Sequence, residues 1–254
     1  MTTQRKFRLL EGPNVLEGVK RLEGAVKDGL EGIDQTLRGV GLSELHTKLT
    51  ISEVNATRLA LFKHLNASSG QFDAVLDKIA GDHLRTILGP DLLVQTKLNL
   101  SIQLPDDVGS QLDLHSDCWS GDTPFQVNLW IPLTPCFASN SMFLLSEEKS
   151  INCIRLIKEN PTLDKTLLSS FVAEADFLVI SRGKAIIFNP GLIHGNVPNK
   201  TNQTRVSINV RFKSAFSPDA SVSHVSRSAG SYYRKFRFSE WTELALRLKQ
   251  LNEF

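Results

Sequence analysis

Residues 113–122 read "DLHSDCWSGD", which puts His115 and Asp117 two positions apart. In an extended segment, residues at i and i+2 leave the backbone on the same face, so one imidazole and one carboxylate can reach a single ion. A third donor must come from elsewhere in the chain. His194 is the best placed, in "FNPGLIHGNVPN" just after the apolar run "KAIIF". The other histidines, His46, His64, His83 and His224, fall in predicted helices or in a polar segment near the C-terminal end. Two histidines and one carboxylate on one face of an ion form the facial triad of non-haem Fe(II) oxygenases. Such a triad leaves three coordination positions open, two for a chelating 2-oxo acid and one for O₂. His-x-Asp with a distant histidine is a weak signal alone, because such pairs arise often by chance.

Arg205 strengthens it. It lies eleven residues after His194 and opens "RVSINVRF", where Arg205, Ser207, Asn209 and Arg211 share one face and Val206, Ile208, Val210 and Phe212 the other. A 2-oxoglutarate held on iron through its C1 carboxylate and keto oxygen needs a partner for its far carboxylate. A guanidinium binds a carboxylate in bidentate geometry and keeps its charge when buried. Ser207, two residues on, can add a hydroxyl donor. The competing reading of Arg205 is a surface charge on an edge strand, but alternation turns it inward with Ser207.

These residues must be positioned by strands, and the pattern predicts them. Residues 1–92 read as mostly helical, with Val15, Leu16, Val19, Leu22, Val26 and Leu30 recurring at three- and four-residue spacing. "LSELHTKL", "ISEVNATRLALFKHL" and "SGQFDAVLDKIAGDHLRTILG" predict further helices, the last stopped by Gly89-Pro90. From residue 93 the period changes to two: Leu98, Leu100, Ile102 and Leu104 alternate with Lys97, Asn99, Ser101 and Gln103. "PFQVNLWIPL" sets Phe125, Val127, Leu129 and Ile131 against Gln126, Asn128 and Trp130. "SMFLL", "KAIIF" and "TRVSINVRF" predict more strands, and "LLSSFVAEADFLVI" a mixed segment. "SEWTELALRLKQLNEF" reads as an amphipathic helix with a serine N-cap.

Helices, then strands, then a helix argue against an alternating βαβ fold. The expectation is one mainly β domain over 1–254: a helical layer (1–92), a double-stranded β-helix or jelly-roll core (93–216), and a C-terminal segment and helix (217–254). The chain has 254 residues, 41% apolar, with formal net charge +2 and no long basic run, so nucleic-acid binding has no support. No apolar run approaches the roughly 20 residues of a membrane span. The opening "MTTQRKFRLLEG" lacks a signal-peptide core, so a cytoplasmic protein is expected. Cys118, Cys136 and Cys153 form no paired set and are expected reduced. The oligomeric state is left open.

"HSD", the 79-residue gap to the histidine of "GLIHGN" and the His-to-Arg spacing of eleven together resemble the Fe(II)/2-oxoglutarate-dependent dioxygenases. "NLWIPLTPCFASNSMFLLS" and "GKAIIFNPGLIHGN" are similar to the phytanoyl-CoA hydroxylase-like branch, and within it to oxygenases of scattered bacterial carbohydrate gene clusters. The resemblance covers about residues 93–213. It implies Fe(II) as metal, with His115, Asp117 and His194 as ligands, and 2-oxoglutarate as cosubstrate clamped by Arg205. It also implies that Trp130, Asn99, Gln103 and Asn196 border the cosubstrate. The loop departs from the pattern, with Asn140-Ser141 for the usual acidic or Asn-Gly pair and "SEEKS" for Pro-Gly-Ser-His. Substrate transfer from the phytanoyl-CoA enzyme is therefore not implied.

An aspartate in the triad, rather than the small residue of related halogenases, implies hydroxylation, with 2-oxoglutarate converted to succinate and CO₂. The resemblance points to a sugar, sugar nucleotide or other small polar substrate. Trp119 and Phe125 are candidate walls of its pocket, and Lys97, Lys184 and Arg211 candidate cations at the mouth. Two other classes use the same residues: a cupin-like isomerase or hydrolase without 2-oxoglutarate, and a non-catalytic binding protein on the same fold. Arg205 discriminates, since metal chemistry without a 2-oxo acid needs no buried arginine facing the metal.

Overall fold

The computed structural model describes residues 7–160, 170–219 and 227–252. The described chain runs through β1 (Phe7–Leu10), α1 (Pro13–Ile33), α2 (Ile51–Leu65), α3 (Asp73–Leu88), β2 (Leu92–Gln95) and β3 (Asn99–Gln103). It continues with β4 (Gln126–Pro132), β5 (Met142–Leu144), α4 (Glu147–Glu159), β6 (Ala185–Phe188), β7 (His194–Asn196) and β8 (Arg205–Ser214). It then forms β9 (Tyr233–Arg237) and α5 (Glu240–Asn252). Among the described residues no helix is long and apolar enough to cross a membrane.

The strands form a jelly roll of two antiparallel sheets. The larger has the order β1-β6-β4-β8-β2-β9, with β3 also on β8. The smaller pairs β5 with β7 and is widened by bridges from His115 to His194 and from Phe143 to Phe177. Alternation gives the larger sheet two chemically different faces. Val127, Leu129, Ile131, Val206, Ile208, Val210 and Phe212 are buried in one apolar cluster with α1, α2 and α3. Each such side chain contributes on the order of 1.5–3 kcal/mol by leaving water. The opposite face carries Asn128, Trp130, Arg205, Ser207, Asn209 and Arg211 toward the smaller sheet.

β8 is the spine: it pairs with β4 on one side and with both β2 and β3 on the other. Val94 lies opposite Phe212, yet Asn99, five residues on, lies opposite Asn209, only three residues back. The two additional residues are taken up in a bulge between β2 and β3. Asn66, at the end of α2, replaces the missing strand neighbour there. Its Oδ1 accepts from the Leu98 N–H at 2.7 Å and its Nδ2 donates to the Leu98 carbonyl at 3.1 Å.

Four elements differ from expectation. β1, in the region read as helical, pairs with β6, and β9, in the segment read as polar, pairs with β2. "SEEKS" opens α4, whose N-cap Ser146 accepts from the Lys149 N–H. "LSELHTKL" is a 3₁₀ turn at Leu42–Thr47, not an α-helix. Of the mixed segment, 167–169 lie outside the described residues, as does His224, while Phe177 and Ile180 form bridges to Phe143 and Cys136. All three cysteines are free thiols.

Candidate metal centre

His115 and His194 face each other across an antiparallel bridge, each backbone N–H donating to the other's carbonyl at 2.9 Å. Directly opposed residues project to the same side of a sheet, and the two imidazole centroids lie 4.3 Å apart. The chain then turns into a 3₁₀ segment at Asp117, pinned by the Ser116 hydroxyl and the Asp117 N–H, both donating to the Pro190 carbonyl. That turn brings the Asp117 carboxylate to 3.7 Å from His115 Nε2 and 3.9 Å from His194 Nε2. The three donor atoms all lie within 4.8 Å of one another, the one such grouping of His, Cys, Asp or Glu among the described residues.

The protonation pattern suits a metal. His115 Nδ1 lies 2.7 Å from the Asp113 carbonyl and His194 Nδ1 2.9 Å from the Leu192 carbonyl. A carbonyl only accepts, so each Nδ1 carries the proton and each Nε2 presents a lone pair. Burial pushes the His194 imidazole down to about 4, with the Asp117 charge opposing only in part, so it is neutral near pH 7. Burial works to raise the Asp117 carboxyl, but Arg211, His194 and Asn128 outweigh it and hold it below the usual carboxylate range. Asn128 Nδ2 donates to Asp117 Oδ2 at 2.6 Å, and Arg211 Nη2 lies 3.1 Å from Asp117 Oδ1. Arg211 also pairs with Asp122 at 2.7 Å, which pairs in turn with Arg227 at 3.0 Å.

The three side chains open onto a cavity of about 750 Å³ between the sheets. Arg205, Ser207, Asn209 and Arg211 of β8, Asn99 and Ser101 of β3, and Trp130 of β4 line it. Arg205 is 4% exposed, and Nη2 donates to Ser101 Oγ at 3.2 Å while Nε has no partner. Burial lowers its pKa, and no carboxylate among the described residues pairs with it. A buried guanidinium of this kind is costly unless an anion meets it. The donor set and this arginine together fit a divalent metal beside an organic carboxylate.

Other expected residues are placed differently. Gln103 is not in the cavity wall; its Nε2 donates to the Val197 carbonyl and fixes the chain after β7. Asn196 lines the cavity, but its amide is spent on Leu112 N–H and the Ser110 carbonyl. Trp119 and Phe125 are 45% and 58% exposed and outside the cavity wall: Trp119 lies in the 3₁₀ turn that follows Asp117, and Phe125 comes after the left-handed Gly121 at φ 92°. Lys97 sits in the β2–β3 bulge and donates to the Asn66 carbonyl, and Lys184 pairs with Glu11. Arg211 lines the cavity, but it is committed to Asp117 and Asp122. Sequence reasoning assigned no role to Asn128, although alternation in β4 placed it on the face of Trp130. It also missed the wall formed by α2.

No protein-family profile matches the chain, and no curated protein matches it. Solved structures do. The apo form of ThoJ, a non-heme monooxygenase, has a TM-score of 0.54 at 16% identity, covering 92% of this chain and 81% of that one. The ThoJ–nickel complex gives 0.54 at 15%, over 98% and 96%. HygX from Streptomyces hygroscopicus with iron bound gives 0.50 at 14%, over 91% and 93%. At these identities the likeness establishes the shared fold.

Proposed function

We propose that this protein is a non-haem Fe(II)/2-oxoglutarate-dependent oxygenase that hydroxylates a small polar metabolite, such as a sugar or sugar nucleotide. The observation that carries the reading is the conjunction in one cavity of the His115–Asp117–His194 donors with a buried, acid-free Arg205. His115 Nε2, His194 Nε2 and the Asp117 carboxylate would hold the metal, and Arg205 with Ser207 the far carboxylate of the cosubstrate. When bound, iron would activate O₂, the oxidant, with 2-oxoglutarate as the two-electron co-reductant, so that one oxygen atom goes to succinate, released with CO₂, and the other to an unactivated C–H bond of the substrate. Nickel or iron in structures of this fold supports the assignment by analogy.

The chain's own part is positional. Carbonyl groups of Asp113 and Leu192 set the histidine tautomers, and Asn128 and Arg211 hold the carboxylate rotamer. Trp130 and Phe188 give the cavity apolar walls that keep water from the reacting atoms. An isomerase or hydrolase using the same three donors would have no task for Arg205.

Purified protein with Fe(II), ascorbate and O₂ is expected to convert 2-oxoglutarate to succinate above a metal-free control, and Asp117→Ala to abolish this. A true substrate accelerates succinate formation and gains the mass of one oxygen atom. Absence of both succinate and the visible charge-transfer band of the chelate, in protein shown to hold iron, overturns the reading.

A further inference from the structure

The cavity has a second guanidinium without an acidic partner among the described residues. Among the described residues, five arginines lack an acidic partner: Arg8, Arg58, Arg155, Arg205 and Arg247. Arg8, Arg155 and Arg247 are exposed, as surface arginines usually are. The other two, the buried Arg205 and the half-buried Arg58, both line the cavity, from opposite layers. Arg58 comes from α2, a helix locked in place by a Thr50–Glu53 capping box and by Val54, Leu61 and Leu65 in the core. Its Nη2 donates to Asn55 Oδ1 at 2.8 Å, and Asn55 lines the cavity too. That bond orients the guanidinium and leaves its other donors for a ligand.

We propose that Arg58, oriented by Asn55, binds a carboxylate or phosphate group of the substrate at the α2 side of the cavity. This rests on the oxygenase reading, which commits Arg205 to the cosubstrate. Charge pairing favours it. Of the three guanidiniums in the wall, Arg211 is matched by Asp117 and Asp122 and Arg205 is committed to the cosubstrate, whereas Arg58 has no acidic partner. A neutral substrate would leave Arg58 with Asn55 alone at a half-buried position. The rest of this wall is apolar: Ile51, Val54 and Phe62 beside Arg58, and Leu112 on the loop side. The matching ligand therefore joins an anionic head to a body with an apolar or ring face. Asp107, buried in the wall, is placed to accept from a hydroxyl on that body. The cation site thus moves from Lys97 and Lys184, which face elsewhere, to α2.

The test uses the anaerobic Fe(II)- and 2-oxoglutarate-loaded protein, titrated calorimetrically with phenyl phosphate, phenylacetate and neutral 2-phenylethanol. At least one anion is expected to bind more tightly than the alcohol, and which one identifies the head group. Arg58→Gln is expected to weaken that anion about tenfold or more, as loss of a charge-assisted contact does. Arg58→Lys is expected to restore most of it, and raised KCl to weaken it in the wild type. 2-Oxoglutarate affinity is expected to stay within about twofold in both variants, a change that shows the fold and Arg205 site intact. Equal binding of alcohol and anions, no binding of either anion, or undiminished anion binding by Arg58→Gln overturns the proposal. Failure of the wild type to bind 2-oxoglutarate overturns the oxygenase reading instead, and the anion titrations on metal-loaded protein are then read separately.

Discussion

Asp117 is held on both oxygens, by Asn128 on one and Arg211 on the other. The arrangement fixes a candidate ligand, yet it places a cation where a metal would also sit. Arg211 is itself buried between Asp117 and Asp122, so its removal strips two carboxylates of a partner, although Asp122 keeps Arg227. Breaking a buried ion pair costs on the order of 3–5 kcal/mol. Arg211→Met is therefore expected to lower the melting temperature of the metal-free protein by several degrees. A divalent metal replaces part of the lost charge, so the metal-induced rise in melting temperature is expected to be larger in the variant than in the wild type. An equal or smaller rise in calorimetry would show that Arg211 does not act through Asp117. His194 gives a second test. Its imidazole is buried with a pKa near 4 against the ordinary 6.5, so between those values the unfolded chain binds a proton that the folded chain does not. Stability from this group is thus full above 6.5 and declines as the pH falls toward 4, by roughly 3 kcal/mol in all. Urea unfolding of metal-free protein over that range is expected to show the decline, and His194→Gln to flatten it; parallel slopes in the two proteins would exclude His194 as the source.

β7 brings its two neighbours together because Gly195 has no side chain. A Cβ there would stand 2.8 Å from both the Leu112 carbonyl and the Phe143 ring, and 3.1 Å from the Asp113 carbonyl. Gly195→Ala is expected to push the 112–115 segment off β7 and to part His115 from His194. Metal affinity, titrated with Co(II), is expected to fall at least tenfold, a larger effect than that of Asn196→Ala on the same strand. Unchanged Co(II) affinity would mean that the bridge does not set the histidine spacing. This close approach was not visible in the sequence, although its two histidines were. Period-two alternation is local, so the faces of β3, β4 and β8 could be read directly, and with them the inward turn of Arg205. β1 ("FRLL") and β9 ("YRKFR") have no clear alternation and owe their existence to partners far along the chain. The Ser146 cap with Glu147 and Glu148 behind it was legible as the start of α4, and was passed over. Trp119 and Phe125 were assigned by nearness in sequence to Asp117, but Trp119 falls in the exposed 3₁₀ turn at Asp117–Ser120, and the left-handed Gly121 lies between that turn and Phe125. Lys97 failed for a different reason: the bulge between β2 and β3 depends on Asn66, thirty-two residues away from Leu98, and no local pattern reports it.

The helical layer is more than a cover for the larger sheet. α1 packs closely on α3 at Gly18 and on α2 at Gly29, where an added Cβ would meet Ile79 at 2.4 Å and Leu61 at 2.5 Å. α2, so held, supplies one wall of the cavity whose other walls are β8 and the smaller sheet. Ligands in that cavity therefore touch several layers at once, and their binding is coupled to the stability of the whole fold. Binding only to the folded state stabilises by about 2.7 kcal/mol at a hundredfold excess over the dissociation constant. For a chain of this length that corresponds to a rise of roughly 5–10 °C in melting temperature. The expected order is a ladder. Metal alone raises the melting temperature, because it bridges β7 to the segment carrying His115 and Asp117. 2-Oxoglutarate adds a second rise only when metal is present, because its chelating end needs the ion while Arg205 takes the other end. Arg205→Ala is expected to keep the first step and lose the second, and Asp117→Ala to lose both. Differential scanning fluorimetry under nitrogen, with Co(II) or Ni(II) in place of Fe(II), reads the ladder without turnover. A 2-oxoglutarate step of wild-type size in metal-free protein would place the cosubstrate away from the triad. A full second step in Arg205→Ala would move the carboxylate clamp to another cation in the wall, with Arg58 the next to test.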